Sequence, residues 1–125
     1  MQRNRLRALS PVDGRYADKV GALRDTLSEF GLIRFRVLVE IRWLQWLSDQ
    51  AAIGELAPLS SVMKDVLNDV VDGFTADDAE RIKEIESTTN HDVKAVEYFI
   101  REKIGAGSDN ATLSNFIHFA CTSED

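Results

Sequence analysis

Three observations predict an all-α fold for this 125-residue chain. Apolar residues recur at three- to four-residue spacing through most of its length. Strand signals are scarce: there are two prolines and seven glycines, and no Asn-Gly or Asp-Gly flanked by alternating apolar residues. The breaks between apolar stretches carry helix-capping residues. The length fits one domain, residues 1–125, with no internal repeat.

Residues 8–16 read as a loop, because Ser10-Pro11 disfavours helix at Ser10 and Asp13-Gly14 signals a turn. A first long helix is expected from about Leu27 to Gln50. On it Arg34, Arg42, Gln45 and Asp49 share a polar face, and most of the remaining circumference is apolar. Arg36 and Glu40 project into that apolar arc. They stand four apart, so they are expected to pair with each other at a packing seam. The competing reading leaves the helix half exposed, with both tips in water.

A second helix spans about Ser60 to Gly73, with Val62/Met63, Val66/Leu67 and Val70/Val71 as its apolar stripe. Gly73 and Phe74 mark a break. Thr75-Ala-Asp-Asp78 then resembles a capping box, with Asp in place of Glu or Gln, and opens a third helix carrying Ala79, Ile82 and Ile85. A fourth helix carries Val93, Val96, Ile100 and Ile104 and stops at Gly105 and Gly107. A short fifth is expected to hold Leu113, Phe116, Ile117 and Ala120.

Charge is unevenly spread. Residues 1–47 carry nine Lys/Arg against five Asp/Glu, and residues 48–125 carry six against sixteen. The basic front half could favour an anionic ligand, but for the asymmetry taken alone solvated acidic helices are the preferred explanation. A pI near 4.9 argues against a general nucleic-acid binder. No apolar run reaches membrane-spanning length, and the basic residues 1–7 are not followed by an apolar stretch, so no signal peptide is expected and the chain reads as cytoplasmic. One cysteine, Cys121, excludes an intrachain disulfide and reads as a buried apolar residue. Two histidines at unsuitable spacing give no metal site.

Three segments can carry chemistry. Ser10-Pro-Val-Asp-Gly-Arg-Tyr16 presents a cation beside an aromatic. Arg15 can hold a phosphate or carboxylate through paired hydrogen bonds, and Tyr16 can donate a hydroxyl or pack on a base. The plain alternative is a turn tied by an Arg15–Asp13 contact. Thr88-Thr-Asn-His-Asp92 lies between two amphipathic helices. Asp92 is expected to cap the fourth helix, placing Asn90 and His91 before a helix N-terminus that favours anions. His91 can donate a proton, contact a phosphate or simply face solvent. Lys94 and Glu97 stand near it on the next helix. Thr122-Ser-Glu-Asp125 places two hydroxyls where they would cap a following helix and cradle a carboxylate.

Taken together, the runs at 10–16, Phe-Arg-Val at 35–37, Arg-Trp-Leu at 42–44, Thr-Thr-Asn-His-Asp-Val-Lys-Ala-Val-Glu-Tyr at 88–98 and Phe-Ile-His-Phe-Ala-Cys-Thr-Ser-Glu-Asp at 116–125 resemble the adenylosuccinate lyase family, bacterial branch, of the fumarase/aspartase superfamily. The resemblance implies the N-terminal helical domain of that lyase fold, lacking the central helical bundle, so that residues 1–125 alone would be inactive. It implies elimination of fumarate from adenylosuccinate to give AMP, and from SAICAR to give AICAR, in purine biosynthesis, by a general base and a general acid. It implies no metal or organic cofactor, no nucleic-acid or membrane partner, and a homotetramer. By the same resemblance, Arg15 and Tyr16 bind the nucleotide side. Asn90, His91 and Asp92 form a second substrate-binding segment in which His91 assists catalysis. Thr122 and Ser123 hold the dicarboxylate, while the main acid and base lie beyond Asp125. The run at 88–98 argues against argininosuccinate lyase or fumarase. A helical interaction module with no catalytic parent is the reading from a different class.

Overall fold

The computed structural model describes residues 4–125, and every regular element in it is helical. The described residues form two compact units, one ending at Leu32 and the other spanning Ile33–Asp125.

In the first unit, short 3-10 turns at Arg5–Arg7 and Gly21–Leu23 flank a chain of tight turns, and α1 follows at Arg24–Leu27. Helix α2 spans Glu29–Ser48. The helix expected from about Leu27 to Gln50 thus starts two residues later, after Ser28, whose backbone is extended (φ −88°, ψ 171°). The reason is a cap. Ser28 Oγ accepts the Gly31 backbone N–H at 3.1 Å, satisfying a donor that a helix start would otherwise leave bare.

The second unit opens within α2 and continues through α3 (Ser61–Asp72), α4 (Ala76–Thr89), α5 (Asp92–Ile104) and α6 (Ser108–Asn115). The sequence signals for the middle three helices hold. Ser60 Oγ accepts the Met63 N–H at 3.1 Å and starts α3. Thr75 and Asp78 form the expected reciprocal capping box. Gly105, at φ +84°, ends α5 in a conformation that any side chain would strain.

Helix α5 is the centre of this unit. Val93, Ala95, Val96, Phe99, Ile100 and Ile104 are all buried, and α3, α4 and α6 pack against it. Phe74 meets Phe99 edge-on with ring centroids 6.0 Å apart. Helix α2 adds the row Ile33, Val37, Ile41, Leu44 and Leu47 to the core. Its polar side is not simply solvated, because Arg42 Nη1 and Gln45 Nε2 both donate to Asn68 Oδ1 on α3, at 2.7 and 3.1 Å.

The fifth helix differs from expectation. It begins at Ser108 and ends at Asn115, so Phe116, Ile117 and Ala120 lie beyond it. His118 and Ala120 take left-handed backbone conformations, φ 64° and 60°, which no continuing α-helix can contain.

Truncation at the centre should cost most. Phe99→Ala is expected to lose about 3–5 kcal/mol, and Thr75→Ala about 1 kcal/mol, both read from urea unfolding.

Candidate functional site

The first unit holds Arg15 and Tyr16 on a wound turn. Ser10 O accepts the N–H groups of Asp13 and Gly14 at 3.1 Å, and Pro11 O accepts that of Tyr16 at 2.9 Å. Gly14 is required there: a Cβ would lie 2.5 Å from the Arg5 carbonyl oxygen. The Arg15 guanidinium sits 5.4 Å from the centroid of the Tyr16 ring, and both side chains are exposed. Asp13 pairs with Arg24 rather than Arg15, so the alternative of a turn tied by an Arg15–Asp13 contact is not realised. Arg15 and Tyr16 border an open hollow of about 630 Å³.

In the second unit, Asn90, His91 and Asp92 make the α4–α5 junction. Asn90 ends α4 in the left-handed region (φ 54°), which asparagine tolerates better than most residues. The cap of α5 falls one residue earlier than expected: His91, not Asp92, is the N-cap, and its Nδ1 accepts the Lys94 N–H at 3.1 Å. An accepting Nδ1 leaves the imidazole proton on Nε2, on an exposed ring. His91 is thereby a positioned donor. Asp92 occupies the first helical position instead, and its two oxygens are used separately. Oδ1 accepts the Val93 N–H at 2.8 Å, and Oδ2 meets Arg36 Nη1 at 2.9 Å.

That ion pair corrects the expected Arg36–Glu40 contact. Arg36 turns to α5, while Glu40 turns to His118, whose Nδ1 lies 2.5 Å from Glu40 Oε1. Glu40 is the buried partner, with its side chain 8% exposed, and its Oε2 has no hydrogen-bond partner. The helix-half-exposed alternative therefore fails for Glu40 as well. Three residues on, Trp43 Nε1 donates to the Phe119 carbonyl at 2.7 Å.

Thr122 and Ser123 follow that pinned turn and are exposed. Thr122 Oγ1 accepts the Glu124 N–H at 3.3 Å, and Asp125 Oδ2 accepts the Thr122 N–H at 2.7 Å. The carboxylate bond back to the threonine N–H repeats that of the box opening α4, and the Thr-x-x-Asp spacing is the same. Cys121 is half-buried rather than fully buried. Burial pushes its thiol up, and Glu40 and Asp125 add to that. Lys94 and Glu97 pair at 3.0 Å. The hollow of about 920 Å³ between α4 and α5 reaches Thr88 and Thr89 but not His91, and its Arg81 and Glu102 are bound to each other.

Sequence reasoning gave His118 no role and gave Glu40 a different partner. A histidine two residues after Phe116 carries no local signal, because its partner lies 78 positions away.

The chain matches the sequence profile of the lyase family over residues 14–125, and it belongs to that family. Among its relatives, the adenylosuccinate lyase of Haemophilus influenzae is 58% identical over all 125 residues, and that of Escherichia coli K12 is 55% identical over the same span. The adenylosuccinate lyase of Legionella pneumophila (strain Corby) is 45% identical over 120 residues. The chain spans about a quarter of these proteins' own length: 27%, 27% and 26% respectively.

The Val93 N–H, and after it the Arg36 guanidinium, hold the Asp92 carboxyl below its usual range against the opposing effect of partial burial. A lowered carboxyl contributes stability above its unfolded value, near 3.9, and loses it as pH falls through the lower folded value. Carboxyl NMR titration is expected to find Asp92 below that value. Arg36→Met should raise it part of the way, because the Val93 bond remains.

Proposed function

We propose that residues 1–125 are the amino-terminal, substrate-binding helical domain of an adenylosuccinate lyase. The observation that carries this reading is the 55–58% identity to adenylosuccinate lyases across the entire chain. The parent enzyme eliminates fumarate from adenylosuccinate to give AMP, and from SAICAR to give AICAR, within purine biosynthesis. It works in the cytoplasm as a homotetramer.

Each segment has a task suited to its geometry. Arg15 takes a phosphate oxygen, and Tyr16 offers its hydroxyl or ring to the nucleotide. Asn90, His91 and Asp92 line the substrate, with the Nε2 proton of His91 available to an anionic or leaving group. Thr122 and Ser123 bind the dicarboxylate through their hydroxyls. The principal acid and base come from other parts of the enzyme, so these residues by themselves hold substrate without turning it over.

The test is fumarate release by the full-length protein. Adenylosuccinate and SAICAR are expected to be cleaved, and the 125-residue chain alone to be inactive. Arg15→Gln should raise KM for adenylosuccinate about 10–100-fold, the loss of one charge-assisted contact. Release of fumarate from argininosuccinate but not adenylosuccinate would overturn the assignment.

A further inference from the structure

Arg36, Glu40 and Trp43 follow one another at four- and three-residue spacing, so they form one row on α2. The first reaches a segment assigned above to substrate, and the other two reach the turn that precedes another. Arg36 holds Asp92 at 2.9 Å, Glu40 holds His118 at 2.5 Å, and Trp43 holds the Phe119 carbonyl at 2.7 Å. The first contact lies in the 88–92 segment. The other two lie in the turn that leads directly into Thr122 and Ser123.

We propose that Arg36 and Glu40 are positioning residues, which use one turn of α2 as a spacer to fix the separation of the His91–Asp92 and Thr122–Ser123 segments. Four residues of helix set that spacing at about 6 Å along the axis. Neither residue touches substrate. Arg36 fixes the carboxylate at the start of α5, beside the His91 cap. Glu40 accepts the His118 Nδ1 proton and holds the left-handed turn at 118–120. The substrate roles of the two segments rest on the function proposed above, whereas the positioning itself does not.

The geometry is costly unless it is used. A carboxylate taken out of water carries a penalty of several kcal/mol, and Glu40 has one oxygen buried without a partner. An apolar residue at this position would pack more simply. What the Glu40–His118 pair adds is a directed bond to a particular ring nitrogen. The two histidines are consequently held in opposite tautomers. His91 carries its proton on Nε2, because its Nδ1 accepts from Lys94, and His118 carries its proton on Nδ1.

The 125-residue chain tests the positioning directly. Side-chain ¹⁵N NMR is expected to show those opposite tautomers. Glu40→Gln, whose amide oxygen accepts less strongly than a carboxylate, should weaken the Nδ1–H preference of His118 and shift the Trp43 indole N–H, leaving His91 unchanged. Arg36→Met should shift the Val93 and Lys94 amides and leave His118 unchanged. Ile82→Val, a mild core truncation away from both contacts, controls for lost stability and should do neither. In the full-length enzyme, Arg36→Met and Glu40→Gln should each lower kcat/KM about tenfold or more, with Arg36→Lys recovering part. Unmoved NMR signals in both variants, or the same shifts from Ile82→Val, would overturn the positioning roles. So would unchanged kinetics in an enzyme whose unmodified form is active. An inactive unmodified enzyme would instead overturn the lyase assignment, and the NMR result would still decide the positioning.

Discussion

A carboxylate removed from water must find a partner or lose its charge. Glu40 sits on the buried side of α2, between Val37 and Ile41 in the packed row, and meets that demand through His118. The bond determines more than one side chain. To bring the imidazole to Glu40, the chain after α6 leaves the helix at Asn115 and passes through left-handed conformations at 118 and 120. The Trp43 indole then takes up the Phe119 carbonyl that this bend would otherwise expose. The position of Thr122 and Ser123 follows from that turn.

Helix α5 works in the complementary way. Its interior face fills the core, and its first turn carries the polar chemistry. His91 and Asp92 divide the labour at the N-terminus. The imidazole satisfies the Lys94 N–H, while the carboxylate satisfies the Val93 N–H and complements the positive end of the helix dipole. Arg36 then anchors that carboxylate from α2. A candidate site residue and a structural cap are here the same side chain, so the cap's rigidity is also that of the candidate.

The helical class and the middle helices were legible because their signals are local. Ser60, the Thr75–Asp78 box and Gly105 lie within four residues of the groups they satisfy. The start of α2 lies two residues after the expected one because Ser28 is its cap, a role that serine favours. The α5 cap was placed one residue late because Asp outranks His as a cap by propensity, while the backbone put the imidazole nearer the free donor. Arg36 and Glu40 offered each other an obvious partner four residues away, yet their actual partners are 56 and 78 positions distant. No periodicity or spacing rule reaches that far. The wording of the three segments pointed to a family, whereas the network that holds two of them in place came only from the fold.

All seven residues assigned to substrate lie where the chain turns, not along a helix face. Arg15 and Tyr16 occupy wound turns, Asn90 to Asp92 a helix junction, and Thr122 and Ser123 the turn after a bend. This follows from backbone chemistry. Within a helix every N–H is spent on a carbonyl four residues back, and at the start of α5 the side chains of His91 and Asp92 take the remaining donors, so polar side chains collect where the helix ladder stops. Such places are also the least rigid parts of a chain. Candidate binding residues placed on such turns gain precision when rigid elements brace them. In the second unit that brace is the 36/40/43 row of α2. Its polar residues stand in an otherwise apolar arc because the groups they hold are polar.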